Sequence, residues 1–357
     1  MTRFHDPIRC ILPPDILIRV AQQGDEEQRE RALRTLATDQ SLRAIRAQNA
    51  ILQGQAPKRL NPHVTEGGNP VRTVLDCDHT QDPARARIVR TEGDAATGDA
   101  ASDEAYDGLG ATYKLYWETY ERDSIDDNGM QLKGYVHYGD GYDNAFWDGQ
   151  EMIFGDGDGK LFNRFTISVD VIGHELTHGV TEDEAALVYF RQSGALNESI
   201  SDVFGSLVKQ HALGQKADEA DWLIGAGLIA DAPDQALRSM KAPGTAYDHP
   251  LLGKDHQPAT MDGYVQTTTD NGGVHTNSGI PNHAFYLAAV NIGGYAWERA
   301  GRIWYEALRD ATLQPTAQFR TFARITLRAA QRIGFAASST EYKAVAEAWA
   351  EVGLKVA

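Results

Sequence analysis

Five residues, His174-Glu175-Leu176-Thr177-His178, constrain this chain more than any other feature. On an α-helix, side chains four apart lie on one face. Both imidazoles can then reach one Zn²⁺ at about 2.0–2.1 Å, while Glu175 leans toward the open coordination position and not toward the metal. The preceding apolar residues Val169, Val171 and Ile172 mark the helix as buried. A fold that accommodates this motif must bury a helix, leave a cleft on one of its faces, and bring a third ligand from elsewhere. A hydrolytic zinc needs three protein ligands and one free position.

Glu198, in Gly194-Ala-Leu-Asn-Glu-Ser-Ile-Ser-Asp202, is the candidate third ligand. The chain between His178 and Glu198 is long enough for a turn and a returning helix. Asp202 follows four residues later on the same face, where it can accept the second N–H of a ligand histidine and fix its tautomer.

The hydrophobic pattern changes along the chain. Arg87–Arg90 and Gly134–Gly139 alternate like half-exposed strands, and Tyr113–Tyr120 reads as a helix. After Thr166 the period becomes 3.6, which predicts helices over Val169–Val180, Asn197–Leu213, Ile280–Val290, Tyr295–Ala311, Ala317–Ile333 and Thr340–Val352. Strands first and helices afterwards predict an α+β, two-lobed protein.

Residues 1–50 differ again, with short helices expected over Asp15–Ala21 and Glu26–Leu36. They carry eight basic and seven acidic side chains, so the net charge of -16 belongs to the rest of the chain. It concentrates between Asp76 and Asp158, where twenty acids face six bases. This acidity excludes a general nucleic-acid binder. The polar stretch from Gln48 to Pro70 is a boundary signal. No apolar run reaches the roughly 18–20 residues that span a bilayer. The first residues do not read as a Sec signal, so the expected location is cytoplasmic or secreted by a non-Sec route. Two cysteines, Cys10 and Cys77, make no disulfide framework. Cys10 reads as a small buried hydrophobe in preference to a thiolate plug on zinc.

The whole pattern resembles the thermolysin-like zinc metallopeptidases, a gluzincin family. The resemblance spans roughly residues 60–357 and rests on Asn144-Ala-Phe-Trp147, Gly155-Asp-Gly-Asp-Gly159, Asp170–Thr181, Gly194–Gly205, Leu237-Arg-Ser-Met240 and Asp270–Ile280. The short N-terminal segment with Cys10-Ile-Leu-Pro-Pro14 is similar to the protealysin-like branch. It implies a propeptide over 1–50, a β-rich catalytic lobe over 51–181 that includes the motif helix, and a helical lobe over 182–357. The implied activity is that of a neutral endopeptidase made as a zymogen. One zinc binds His174, His178 and Glu198, and Glu175 is the general base. His275 and Tyr189 stabilise the oxyanion, with Asp270 holding His275. Asn144 and Ala145 grip an extended peptide, and Arg238 binds a substrate carbonyl. Phe162, Phe165, Val171, Ile224 and Leu237 wall a pocket for a bulky apolar residue after the cleaved bond. The implied partners are a peptide or protein substrate and the chain's own propeptide as intramolecular inhibitor, with a proteinaceous inhibitor held open and neither nucleic acid nor membrane expected.

One departure stands out. The family's double calcium site uses acids where this chain has Lys209, Leu223 and Ala226. A cation and two apolar groups cannot ligate Ca²⁺. The double site is expected to be absent, with Lys209 as counter-charge to Asp170 and Asp221; calcium elsewhere stays open, the acidic turns reading first as solvated. A zinc aminopeptidase is the competing enzyme class, but it needs acidic groups to hold a free amine, and no G-x-M-E-N-type motif is present. A non-catalytic binding protein on this scaffold is disfavoured because every expected catalytic position is filled.

Overall fold

The computed structural model of the chain describes residues 9–53 and 68–356. It begins with a two-residue strand, β1 (Arg9–Cys10), and two helices, α1 (Pro14–Gln23) and α2 (Glu26–Gln53). Pro14 starts α1 where a missing N–H costs nothing. Asp25 and Gln28 cap α2 reciprocally, each side chain accepting from the other's backbone N–H at 3.0 and 2.9 Å. This helix runs well past the expected end at Leu36. The boundary expected over 48–70 falls on the last turn of α2 and on residues 54–67, outside the described residues.

Next come β2 (Arg72–Asp76), β3 (Arg87–Thr91), α3 (Ala100–Tyr120), β4 (Leu132–Val136), β5 (Ala145–Trp147) and β6 (Met152–Phe154). The six strands form one sheet in the order β1-β5-β6-β4-β2-β3. β1 lies antiparallel to β5 at the sheet edge, with Cys10 opposite Phe146 and Arg9 opposite Trp147. Helix α3 begins thirteen residues before the expected Tyr113. Asp99 caps it, accepting from Ser102 N–H at 2.7 Å. Its two internal glycines disguised it; at Gly108 an added Cβ would lie 2.3 Å from Ile172 Cδ1. The glycine thus sets how closely α3 packs on the motif helix.

That helix is α4 (Val169–Glu184), which crosses α5 (Arg191–Leu213). A Cβ at Gly205 of α5 would sit 2.4 Å from the Asp170 carbonyl oxygen. Only glycine permits this backbone approach, which brings the two preceding turns of α5 against the two motif histidines. Two small ribbons follow, β7 (Leu223–Ile224) with β8 (Arg238–Ser239) and β9 (Asp248–His249) with β10 (Gly253–Lys254). They were not expected, because two-residue strands show no alternation. The chain ends in α6 (Asp270–Asn277), α7 (Gly279–Ile292), α8 (Ala300–Leu308), α9 (Phe319–Arg332) and α10 (Thr340–Glu351). The α+β, two-lobed expectation holds: the main sheet lies in the first half and the helices in the second. A continuous apolar core runs through both, joined by Tyr116, Tyr120, Phe204 and Tyr305 in mutual ring contact. No helix among the described residues is long and apolar enough to cross a membrane.

Candidate metal centre and active site

Helix α4 turns His174 and His178 the same way, and their Nε2 atoms lie 3.1 Å apart. Glu198 of α5 completes the triangle, with its oxygens 3.5 Å from His174 Nε2 and 3.4 Å from His178 Nε2. All three side chains are fully buried. Four ligands at about 2.0–2.1 Å in a tetrahedron are about 3.3 Å from one another, so this spacing suits zinc. Glu198 Oε2 is buried without a hydrogen-bond donor. An ionised carboxylate left so is costly unless a cation meets it, and the donor set therefore fits a metal.

The far sides of both rings are held. His174 Nδ1 meets Asp202 Oδ1 at 2.8 Å. His178 Nδ1 meets Asn197 Oδ1 at 2.8 Å and Ser201 Oγ at 2.9 Å. Asp202 is clamped in turn by Arg238 through two 2.8 Å hydrogen bonds and by Asn282 at 2.8 Å. Burial opposes its charge, but Arg238 and His174 outweigh burial and hold its carboxyl far below the usual range. Asp202 was anticipated. Asn197, Ser201 and Asn282 were not; Asn197 and Ser201 flank Glu198 on the same helix, which was the available signal.

Glu175 is fully buried, and its Oε2 accepts from Trp147 N–H at 3.1 Å. It is not among the three side chains that group as metal ligands. His275 sits where α6 opens on a left-handed run, with φ of 48°, 48°, 85° and 79° at Asp270, Asn271, Gly272 and Gly273. That turn lets Asp270 accept from both the backbone N–H and the Nδ1 of His275, at 2.8 and 2.6 Å. Burial disfavours a charge on His275, but Glu198 and Asp270 outweigh it and raise its pKa to about 9. A cation on Glu198 would cancel that carboxylate's share and leave Asp270's. Tyr189 OH lies 3.2 Å from His275 Nε2 and donates to Glu198 Oε1.

Residues Cys10-Ile11-Leu12 run through this site, leaving the end of β1. The Cys10 carbonyl oxygen is 3.2 Å from His275 Nε2. Ile11 N–H donates to the Ala145 carbonyl at 3.3 Å, and the Ile11 carbonyl accepts from Arg238 Nη1 at 3.1 Å. Leu12 N–H donates to Asn144 Oδ1 at 3.2 Å. The Cys10 side chain packs in a cluster with Cys77, Tyr138, Tyr142 and Phe146. Asp39 of α2, which sequence reasoning counted only as a charge, ties this segment down by accepting from Tyr142 OH at 2.6 Å and Asn144 Nδ2 at 3.0 Å. Phe162, Phe165, Val171, Ile224 and Leu237 are fully or almost fully buried in the same core as Ile11. Ile224 and Leu237 adjoin through a 3.0 Å backbone hydrogen bond, and the Phe162 and Phe165 rings are 6.0 Å apart. Away from the cleft, Lys209 Nζ lies 2.7 Å from Asp170, 2.9 Å from Asp221 and 2.6 Å from the Leu223 carbonyl.

Residues 64–182 match the family described as thermolysin metallopeptidase, catalytic domain, and residues 185–354 match its alpha-helical domain. The chain belongs to the thermolysin metallopeptidase family. An extracellular metalloprotease of Pectobacterium carotovorum is 52% identical over 98% of this chain and 97% of its own length. A thermolysin of Alicyclobacillus acidocaldarius is 40% identical over 72% of this chain and 46% of its own. The solved precursor of protealysin, a metalloproteinase from Serratia proteamaculans, superposes with a TM-score of 0.86 at 52% identity, covering 97% of this chain and 99% of that one. Within the family this chain is of the protealysin-like kind: a zinc-dependent neutral endopeptidase made as a zymogen.

Proposed function

We propose that His174, His178 and Glu198 hold one zinc, and that residues 1–50 act as a propeptide which blocks the cleft by lying in it as a substrate would. The catalytic lobes are then 51–181 and 182–357. The observation that carries this reading is the path of Cys10-Ile11-Leu12, whose main chain meets His275, Ala145, Arg238 and Asn144 in succession. Ala145, Arg238 and Asn144 are groups expected to hold a peptide substrate, and His275 is expected to stabilise its oxyanion. The pairing of β1 with β5 supports the same view, since an extended peptide added to a sheet edge is a common mode of peptide recognition.

A bound zinc supplies Lewis acidity and brings the pKa of water toward roughly 7. Glu175 takes the proton of the attacking water and passes it to the leaving amine. His275, kept in its donor form by Asp270, and Tyr189 donate to the oxygen on which negative charge develops. Asp202, Asn197 and Ser201 hold the two histidine rings in the required tautomer. Asn144, Ala145 and Arg238 align the peptide, so the reacting atoms meet without a further loss of freedom.

If the bond after Cys10 occupies the position of the scissile bond, Ile11 stands just after it. Its burial in the core that holds Phe162, Phe165, Val171, Ile224 and Leu237 supports a preference for a bulky apolar residue there. The Lys209 ammonium between Asp170 and Asp221 supports replacement of the calcium pair by an internal cation. The names of the relatives support export of this chain as well. Cleavage-site mapping on a randomised peptide library tests the preference: cuts before Leu, Ile or Phe are expected, and cuts before charged residues in equal number would overturn it.

A further inference from the structure

A second cluster of metal-ligating side chains lies in the β-rich lobe, on elements the catalytic chemistry does not use. His79 follows β2, His137 follows β4, and Asp156 follows β6, so three loops converge at one end of the sheet. His137 Nδ1 is 3.0 Å from Asp156 Oδ2, and His79 Nδ1 is 3.4 Å from the same oxygen. The three ligand atoms lie within 4.8 Å of one another. The corresponding separations among His174, His178 and Glu198 are 3.1, 3.5 and 3.4 Å. The catalytic set, and the two separations from Asp156 to the histidines of the second cluster, match the roughly 3.3 Å edge of a tetrahedron with bonds of about 2.0–2.1 Å.

The outer contacts are of the kind a metal site carries. His137 turns Nδ1 inward, and its Nε2 is 3.3 Å from Asp99 Oδ2. A ligand histidine whose other nitrogen is held by a carboxylate is the usual arrangement around protein-bound zinc. His174 with Asp202 repeats it in this chain. The two histidines are also fixed to each other, since His79 N–H donates to the His137 carbonyl at 3.0 Å. Both adopt left-handed backbone angles, with φ of 58° and 53°. Two imidazoles and one carboxylate select zinc-like cations over Ca²⁺ or Mg²⁺, which take oxygen ligands. The surrounding excess of acids favours any divalent cation at this end of the lobe.

We propose that His79, His137 and Asp156 form a second zinc site, supported by Asp99, which cross-links the loops after β2, β4 and β6. Its role is to fasten this end of the sheet, with a solvent-facing fourth position. The site is independent of the catalytic zinc.

The test is the zinc content of the full-length chain after equilibrium dialysis against micromolar ZnCl₂, read by elemental analysis. Two zinc per wild-type chain are expected, and one for His79→Ala. His79 is 61% exposed, so that variant keeps its fold; His137→Asn, which tolerates the left-handed backbone, should also hold one. His178→Ala, which removes a catalytic ligand, should retain zinc at the second site. Asp99→Asn should keep the second zinc but bind it about 10- to 100-fold more weakly. One zinc per wild-type chain would overturn the proposal, because the cluster would then be an ion pair alone. Two zinc in both His79→Ala and His137→Asn would overturn it as well, by placing the second ion elsewhere.

Discussion

Ile11→Ala should convert the precursor from a closed to a leaky enzyme. Ile11 is completely buried, and its main chain is held by Ala145 and Arg238. The substitution removes three carbons from that packed position but leaves the main-chain hydrogen bonds untouched. Truncating a buried isoleucine to alanine costs about 2–5 kcal/mol, because lost transfer energy and residual cavity add. The segment is docked only in the closed state, so the loss falls on docking. At about 1.4 kcal/mol per tenfold, the open fraction should rise roughly 30- to 4,000-fold. The assay is the initial rate of a short quenched-fluorescence peptide on intact precursor, taken before any N-terminal cleavage is visible by mass spectrometry. Ile11→Leu conserves volume and should stay within a few-fold of wild type. The matured enzymes from all three chains should share one kcat/KM, since the altered residue is gone. An Ile11→Ala precursor as silent as wild type would refute the proposed role of Ile11 as the residue that fills the pocket after the scissile bond.

Two further outcomes follow from charge. Lys209→Ala leaves the buried Asp170 without its cation; breaking a buried pair costs about 3–5 kcal/mol, so Tm should fall by many degrees, and a Tm within 2 °C of wild type would count against Lys209 as the internal substitute for calcium. At Asp310, burial alone would raise the carboxyl, but Thr312 and Arg332 outweigh it and hold its pKa at about 2. Because that value lies below the ordinary 3.8, its stabilisation is present above about pH 4 and is lost as pH falls from 4 toward 2. Asp310→Asn should therefore cost roughly 1–2 kcal/mol at pH 7 and nothing near pH 2, measured by urea unfolding; an equal cost at both pH values would contradict the assignment.

The catalytic core was legible in sequence because helix geometry turns spacing into proximity. His174, Glu175 and His178 share a face by periodicity, and Glu198 and Asp202 share another, so the centre could be assembled before the fold was known. The family resemblance carried His275, Asp270, Tyr189 and Arg238, and the structure brings all four around the same cleft. What stayed hidden lacks a period. Asn282 reaches Asp202 from a helix 80 residues away, and Asp39 reaches Asn144 across 105. The cluster of His79, His137 and Asp156 exists only because parallel pairing of β2 with β4 and of β4 with β6 sends the loops after them to one end of the sheet. The first half of helix α3 is hidden in the sequence because Gly108 and Gly110 count against a helix locally, whereas Gly108 serves tertiary packing against Ile172. Lys209 was readable only through the resemblance: it stands where the family has a ligand acid, and Asp170 and Asp221 match two of the other acids of that site.

Everything proposed for the cleft depends on Glu175 acting as the base of a zinc centre held by His174, His178 and Glu198. The most direct test of that role is hydrolysis of casein by matured wild type and Glu175→Gln, each with its zinc content measured at the same time. The variant should bind zinc as the wild type does and lose about 10²- to 10⁴-fold in kcat. A zinc-loaded Glu175→Gln enzyme that digests casein at the wild-type rate would contradict that role.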